Sequence, residues 1–258
     1  MELDGQPVDP QALGALALTD YGHFTTMRVE EGRVRGLALH MERLVRDCRV
    51  VFGAEVDPER VRALARRAVE GVDGACVVRV TVFDPALDIG HMADPAHPRV
   101  LVTRRPAPAL PLPPLRVRSV RHERELPAVK HTGLFGILHA RRVAQRDGFD
   151  DALFVGADGL VSEGGTWNVA FIDREGTVVW PKAEVLPGVT MALLRAGHAH
   201  TVAPVGPEEV AGMRAAFATN AAIGVRAIAA VDDVRFPAGH PGFEAVRAAY
   251  LAEPGDAL

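Results

Sequence analysis

Lysine and arginine together number 29 in this 258-residue chain, and only Lys130 and Lys182 are lysine. Lysine can do what arginine cannot: lose its proton, attack a carbonyl and form an imine. Lys130 lies in "ELPAVKHTGLFG", between Pro127 and Gly133 and among apolar neighbours, where burial would lower its pKa. Its ordinary alternative is a solvated loop lysine. Three other places could contribute to a site. In "VLPGVTMALL" a helix opens at Val189 and Thr190 after Pro187–Gly188. The unpaired N–H groups and dipole of such a start favour an anion, and Thr190 adds a hydroxyl, although most helix starts bind only water. In "VSEGGTWN", Glu163 precedes two glycines that allow close backbone approach. Ionised, it is a pure acceptor able to hold a protonated ring nitrogen; otherwise it is a turn acid. Arg43, in "HMERL", has the planar fork that suits phosphate, or it makes a surface salt bridge. No histidine or cysteine grouping has metal-ligand spacing, so no metal is expected. No P-loop, GxGxxG after a strand or GxSxG occurs.

Alternating and helical periodicities define the elements that must carry these residues. "GHFTTMRVEEGRVRG" reads as two strands around a turn at residues 30–32. A helix follows with apolar positions 41, 44, 45, 48, 51 and 52 and a stop at Gly53; His40, Arg43 and Asp47 fall off that stripe. A second helix starts with Asp57 as N-cap and Pro58 as its first residue. "ACVVRVTVF" and "RVLVT" are strands. "RRPAPALPLPPLR" holds five prolines, cannot be helix or central strand, and suits a stiff linker. The expected organisation is a small N-terminal lobe over 1–107, a Pro-rich linker over 108–114 and a larger lobe over 115–258. In the second lobe a helix is expected from about 133 to 147, and strands "ALFVG" and "NVAFID" flank "ADGLVSEGGTW". A hairpin at 174–176, strand "TVVWP", helix "VTMALLRAGHA", strands "AAFAT" and "VRAIAAV", and a closing helix "FEAVRAAYLA" complete it.

The composition is that of a soluble globular protein, 48% hydrophobic and 24% charged, with a formal net charge of −4. A sequence pI near 6.2, with arginines interleaved among acids, argues against a nucleic-acid binder. No apolar run reaches the roughly 20 residues of a membrane span, and "MELDGQPVDP" lacks the pattern of a signal peptide. Cys48 and Cys76 sit in apolar patterns as small buried hydrophobes, and a cytoplasmic location is expected.

Taken in order, "GHFTTMRVEEGRV", "LHMERLVRDC", "VKHTGLFG", "DGFDDALFVGADGLVSEGGTWNVAFID", "VLPGVTMALL" and "ATNAAIGVRAI" resemble the class IV aminotransferase family of fold type IV pyridoxal phosphate enzymes. That family includes branched-chain and D-amino-acid aminotransferases and aminodeoxychorismate lyase. The resemblance implies a two-lobed α/β (α+β) fold with a barrel-like C-terminal lobe, and usually a homodimer. It implies pyridoxal 5'-phosphate as cofactor, with Lys130 as the catalytic lysine that holds it as an imine and moves the substrate proton. Glu163 would pair with the pyridine nitrogen. Arg43, Val189, Thr190, Asn220 and Ala221 would hold the phosphate, and Phe24, Thr26 and Arg28 would face the substrate. Two departures stand out. Phe135 occupies the position, five after the lysine, where many transaminases carry Tyr, and Asn220–Ala221 replaces a common Gly-Thr. "FTT-x-RV" and the Lys130–His131 pair resemble the lyase. The implied activity is amino transfer between an amino acid or amine and a 2-oxo acid. The alternatives are lyase-type elimination of pyruvate from aminodeoxychorismate, or a fold relative that only binds ligand.

Overall fold

The computed structural model describes residues 1–258, which divide into two units. The first comprises Met1–Ala107, Val129–Gly133 and Gly255–Leu258. Its strands are β1 (Glu2–Leu3), β2 (Gln6–Pro7), β3 (His23–Val29), β4 (Arg33–Arg35), β5 (Cys76–Phe83) and β6 (Arg99–Pro106). Its helices are α1 (Pro10–Thr19), α2 (Leu37–Phe52) and α3 (Pro58–Val69). Five strands form an antiparallel sheet in the order β2-β1-β6-β5-β3. Strand alternation puts Met27 and Val29 of β3, and Val78, Val80 and Val82 of β5, in one core with Leu44 and Cys48 of α2 and Val61 and Ala65 of α3. Asp57 caps α3 by accepting from the Glu59 N–H at 2.9 Å, with Pro58 in the first turn, and α2 stops at Gly53.

The second unit comprises Pro108–Ala128 and Leu134–Pro254. Its strands are β7 (Leu115–Arg121), β8 (Asp151–Val155), β9 (Val161–Gly164), β10 (Asn168–Ile172), β11 (Val178–Pro181), β12 (His200–Ala203), β13 (Ala215–Asn220), β14 (Gly224–Val231) and β15 (Val234–Arg235). Its helices are α4 (Phe135–Arg146), α5 (Val189–Gly197), α6 (Pro207–Gly212) and α7 (Pro241–Ala252). The mixed sheet runs β12-β11-β10-β13-β14-β7-β8-β9, with β15 on β14. The pairs β11–β12, β14–β7 and β7–β8 are parallel. Both faces are buried. Val169 and Phe171 of β10 join Leu153, Ala218 and Ile228 in one core. Ala170 and Ile172 join Phe217, Met191 and Leu194 of α5 and Tyr250 of α7 in another. No helix is long and apolar enough to cross a membrane.

Three features differ from the sequence reading. Residues 115–258 do not form one unit. Val129–Gly133 belongs with the first because its backbone bonds to β3: the Phe24 N–H donates to the Lys130 carbonyl and the Thr132 N–H to the Gly22 carbonyl, both at 2.9 Å. Gly255–Leu258 also joins the first unit, where strand β16 (Gly255–Ala257) pairs with β4 and the Leu258 side chain enters the core. Finally, β6 continues to Pro106, inside the proline-rich stretch. β1 covers only Leu101 and Val102 of that strand, so its far end is paired on one side and tolerates a residue without an N–H.

Candidate functional site

In the first unit the candidate residues gather on α2, β3 and the returning Lys130 segment. His40, Arg43 and Asp47 lie at i, i+3 and i+7 of α2, on one helical face. That face is not solvated: His40 and Asp47 are wholly buried and Arg43 is 6% exposed. The Arg43 Nη2 donates to Thr25 Oγ1 at 2.7 Å, and Thr25 Oγ1 lies 2.7 Å from His40 Nδ1. Arginine can only donate, so the Thr25 hydroxyl accepts from Arg43, and the direction of its bond to His40 Nδ1 follows the imidazole tautomer. Burial, with the Arg43 and Lys130 charges adding to it, holds the His40 pKa well below the usual histidine range. His23, also wholly buried, has neither ring nitrogen hydrogen-bonded. Burial lowers its pKa to about 4 against a partial opposing pull from Asp47.

The opposite face of β3 carries Phe24, Thr26 and Arg28, the three residues expected to meet substrate. The Lys130 Nζ lies 4.8 Å from the Phe24 ring centroid, and the Arg79 guanidinium lies 3.6 Å from that same centroid. Burial lowers the Arg79 pKa. The Arg28 Nε pairs with Glu30 Oε1 at 2.6 Å.

In the second unit Glu163, on β9, is 3% exposed. Its Oε2 accepts from Asn168 Nδ2 and from the Leu186 N–H, each at 3.3 Å; Asn168 Nδ2 also donates to the Leu186 carbonyl at 2.8 Å. These bonds tie the carboxylate to the loop that opens α5. A side chain at Gly188, the residue before that helix, would run into Asn168 Oδ1, so the close approach requires glycine. No side chain caps α5, and Thr190 Oγ1, on a residue 1% exposed, has no hydrogen-bond partner. The Asn220 side chain serves its own turn, accepting from Ala222 and Ile223 N–H at 3.0 Å and donating to the Thr166 carbonyl, so backbone is what Asn220–Ala221 can offer an anion. "GTW" is tied down around the buried Asp151: the Trp167 Nε1 donates to Asp151 Oδ2 at 2.9 Å, and Arg141 bonds Asp151 and Thr166.

The family model described as class IV amino-transferase matches residues 22–231, most of the chain. The protein belongs to the class IV aminotransferases. Members of this family use pyridoxal phosphate. No curated protein sequence gives a significant match. Among solved structures, a branched-chain aminotransferase from the archaeon Thermoproteus uzoniensis, with norvaline, is 21% identical. The alignment covers 97% of this chain and 92% of that one, with a TM-score of 0.85. A putative 4-amino-4-deoxychorismate lyase from Legionella pneumophila is 20% identical over 93% of each chain, with a TM-score of 0.80. A hypothetical aminotransferase from Mycobacterium tuberculosis in its PLP-bound form is 21% identical, covering 97% of this chain and 95% of that one, at a TM-score of 0.78. At these identities the likeness establishes the fold.

Lys130, Arg43, Phe24, Thr26 and Arg28 thus lie in the first unit of this class IV aminotransferase, and Glu163, Val189, Thr190, Asn220 and Ala221 in the second. Each of these groups has the chemistry that an aromatic aldehyde phosphate would call on. A lysine stands beside an aromatic ring, an ionisable acid is fixed by two donors, and a helix start carries a buried hydroxyl lacking the acceptor or donor it needs. Sequence reasoning missed Thr25, Asp47 and Asn168, and also Arg124, whose Nη1 is 3.8 Å from Glu163 Oε1. Position 47 carried one usable signal, an acid one turn beyond Arg43 on the same helical face.

Proposed function

We propose that this protein is a pyridoxal-phosphate-dependent aminotransferase that moves an amino group between an amino acid or amine and a 2-oxo acid. The observation that carries the reading is the placement of Lys130. Its backbone is bonded on both sides, by Phe24 and Asp47, and its Nζ is at the Phe24 face. The bound cofactor supplies an electron sink for the charge that develops at the substrate α-carbon. Lys130 is the residue that would carry the covalent link and move the proton to and from that carbon. Glu163, kept as an acceptor by Asn168 and the Leu186 N–H, would suit a protonated ring nitrogen. Arg43, the α5 start with Thr190, and the backbone at Ala221 would hold the phosphate. Phe24, Thr26 and Arg28 face the substrate. A homodimer in the cytoplasm belongs to the same reading. Borohydride treatment of the cofactor-loaded protein, followed by peptide mass spectrometry, tests it. The adduct is expected on Lys130, and an adduct on Lys182 or none refutes it.

A specific observation favours a second reading, lyase-type elimination. Phe135, 84% exposed at the start of α4 and stacked on His139, offers no hydroxyl where many transaminases place Tyr. The two reactions separate on stoichiometry. With a single amino acid and no 2-oxo acid, a transaminase releases one equivalent of keto product and stops until an acceptor arrives. A lyase needs no acceptor. Catalytic pyruvate release from aminodeoxychorismate, with no half-reaction on any amino acid of either hand, replaces the first reading by the second.

A further inference from the structure

Lys130 belongs to a five-residue segment flanked on both sides by chain of the other unit, so its position in the first unit depends on what binds it there. β3 supplies part of the hold: the Phe24 N–H bonds the Lys130 carbonyl, and Thr132 donates through its N–H to Gly22 and through Oγ1 to the Asp20 carbonyl at 2.6 Å. The amide on the other side of Lys130 is held by α2, where Asp47 Oδ2 accepts from the Lys130 N–H at 2.9 Å. Asp47 is itself wholly buried, and its Oδ1 accepts from Arg46 Nη2 at 2.7 Å and Nε at 3.0 Å. A buried carboxylate in the middle of a helix needs such partners to persist.

We propose that Asp47 is the positioning residue for Lys130. It anchors the Lys130 backbone amide to α2, the helix that carries Arg43, and so fixes the origin from which the amine reaches its carbonyl partner. The inference rests on the reading of Lys130 as the reactive lysine and adds the residue that aims it. What matters is an acceptor at this point, more than a charge.

The test is the rate at which added pyridoxal 5'-phosphate becomes borohydride-fixable on Lys130, measured for wild type, Asp47→Asn and Asp47→Ala. Asn keeps an acceptor oxygen, so its rate is expected within about threefold of wild type. Ala removes the acceptor and is expected to slow capture by about tenfold or more, the scale on which small misplacements of a reacting group act. Equal rates for Ala and wild type, or an Asn variant as slow as Ala, overturn the proposal. No adduct on Lys130 in wild type overturns the functional reading and this inference together, whereas a wild-type adduct with an undiminished Ala rate overturns this inference alone. If the Ala variant does not fold, amide hydrogen exchange of the wild type decides. The Lys130 N–H is expected to be protected like that of Phe24, and exchange at the rate of open chain refutes the anchor.

Discussion

In the first unit the Thr25 hydroxyl is wholly buried and has two partners, Arg43 and His40; in the second the Thr190 hydroxyl is buried to nearly the same degree and has none. The contrast extends beyond the two threonines. On α2, Arg43, Asp47 and one nitrogen of His40 are engaged by groups of the same unit, and the Lys130 backbone is part of that set. At α5 the helix has no side-chain cap. A buried hydroxyl without a partner costs about 1–3 kcal/mol, so a fold that retains one at a helix start is more stable when something binds there. On the proposed function, the first cluster would mainly position groups, with Arg43 also reaching the phosphate, and the second would receive it.

The strongest way to break this division is at the positioning side. Lys130→Arg keeps a cation near Phe24 but cannot form the imine. Borohydride-fixable cofactor should disappear, and turnover should fall by well over about a thousandfold, as for loss of a covalent nucleophile. Thermal unfolding of the unloaded protein should barely change. Retained turnover in this variant would remove Lys130 from the chemistry.

Glu163→Gln examines the receiving side. Gln can still accept from Asn168 and the Leu186 N–H, so the loop before α5 should keep its place. Without the negative charge the ring N–H is no longer favoured, and turnover should fall by about a hundredfold or more. Cofactor affinity should change far less, because the phosphate contacts remain. Steady-state rates alongside fluorescence titration of cofactor separate the two effects; equal losses in both would mean that Glu163 holds the loop and does not act on the ring.

Much of this was legible in the chain. The apolar stripe of α2 and the Asp57–Pro58 start of α3 followed from local periodicity and capping chemistry. The other face of α2 was not legible as buried. His40, Arg43 and Asp47 look solvent-facing to any measure that counts apolar positions, and they are buried because Thr25 and the Lys130 amide, far away in sequence, satisfy them. The same reason hid the return of Val129–Gly133 to the first unit. Short elements such as α6, β12 and β16 carry too few residues to display a period. Lys130, Glu163 and the helix start at Val189 were visible as residue types, and their family resemblance made them a set. Arg124 was not, because a charged run such as "RHERE" reads as solvated surface, whereas its side chain is only 7% exposed.

Acid should weaken the first unit through its buried histidines. His23 has an ordinary pKa of 6.5 when unfolded and about 4 in the fold. Its contribution is therefore complete above pH 6.5 and declines as pH falls towards 4, because the unfolded chain takes up a proton that the folded one refuses. The shift corresponds to about 3 kcal/mol at most, and His40, shifted in the same direction, adds to the slope. Urea midpoints at pH 7 and pH 5 should fall accordingly, and His23→Phe should flatten the fall. An unchanged slope in that variant would show that the loss arises elsewhere.

The smallest expected effect carries the most specific sign. Thr190→Val replaces the hydroxyl by a methyl of nearly the same size at a residue only 1% exposed, so little volume is lost. In the unloaded protein the variant sheds an unpartnered buried oxygen and should be as stable as wild type or more stable, by up to about 1 kcal/mol. In the loaded protein it lacks one hydrogen bond to the phosphate, and cofactor affinity should weaken by several-fold, the equivalent of about 1 kcal/mol. The two measurements thus move in opposite directions, which a general packing defect cannot produce, since that would lower stability with and without cofactor. Thr25→Val provides the counterpart. There the hydroxyl is partnered, its loss strands both the Arg43 donor and the His40 nitrogen, and the unloaded protein should lose about 1–3 kcal/mol. If Thr190→Val destabilises the unloaded protein as Thr25→Val does, the two clusters are built alike, and α5 has no claim to be the receiving end.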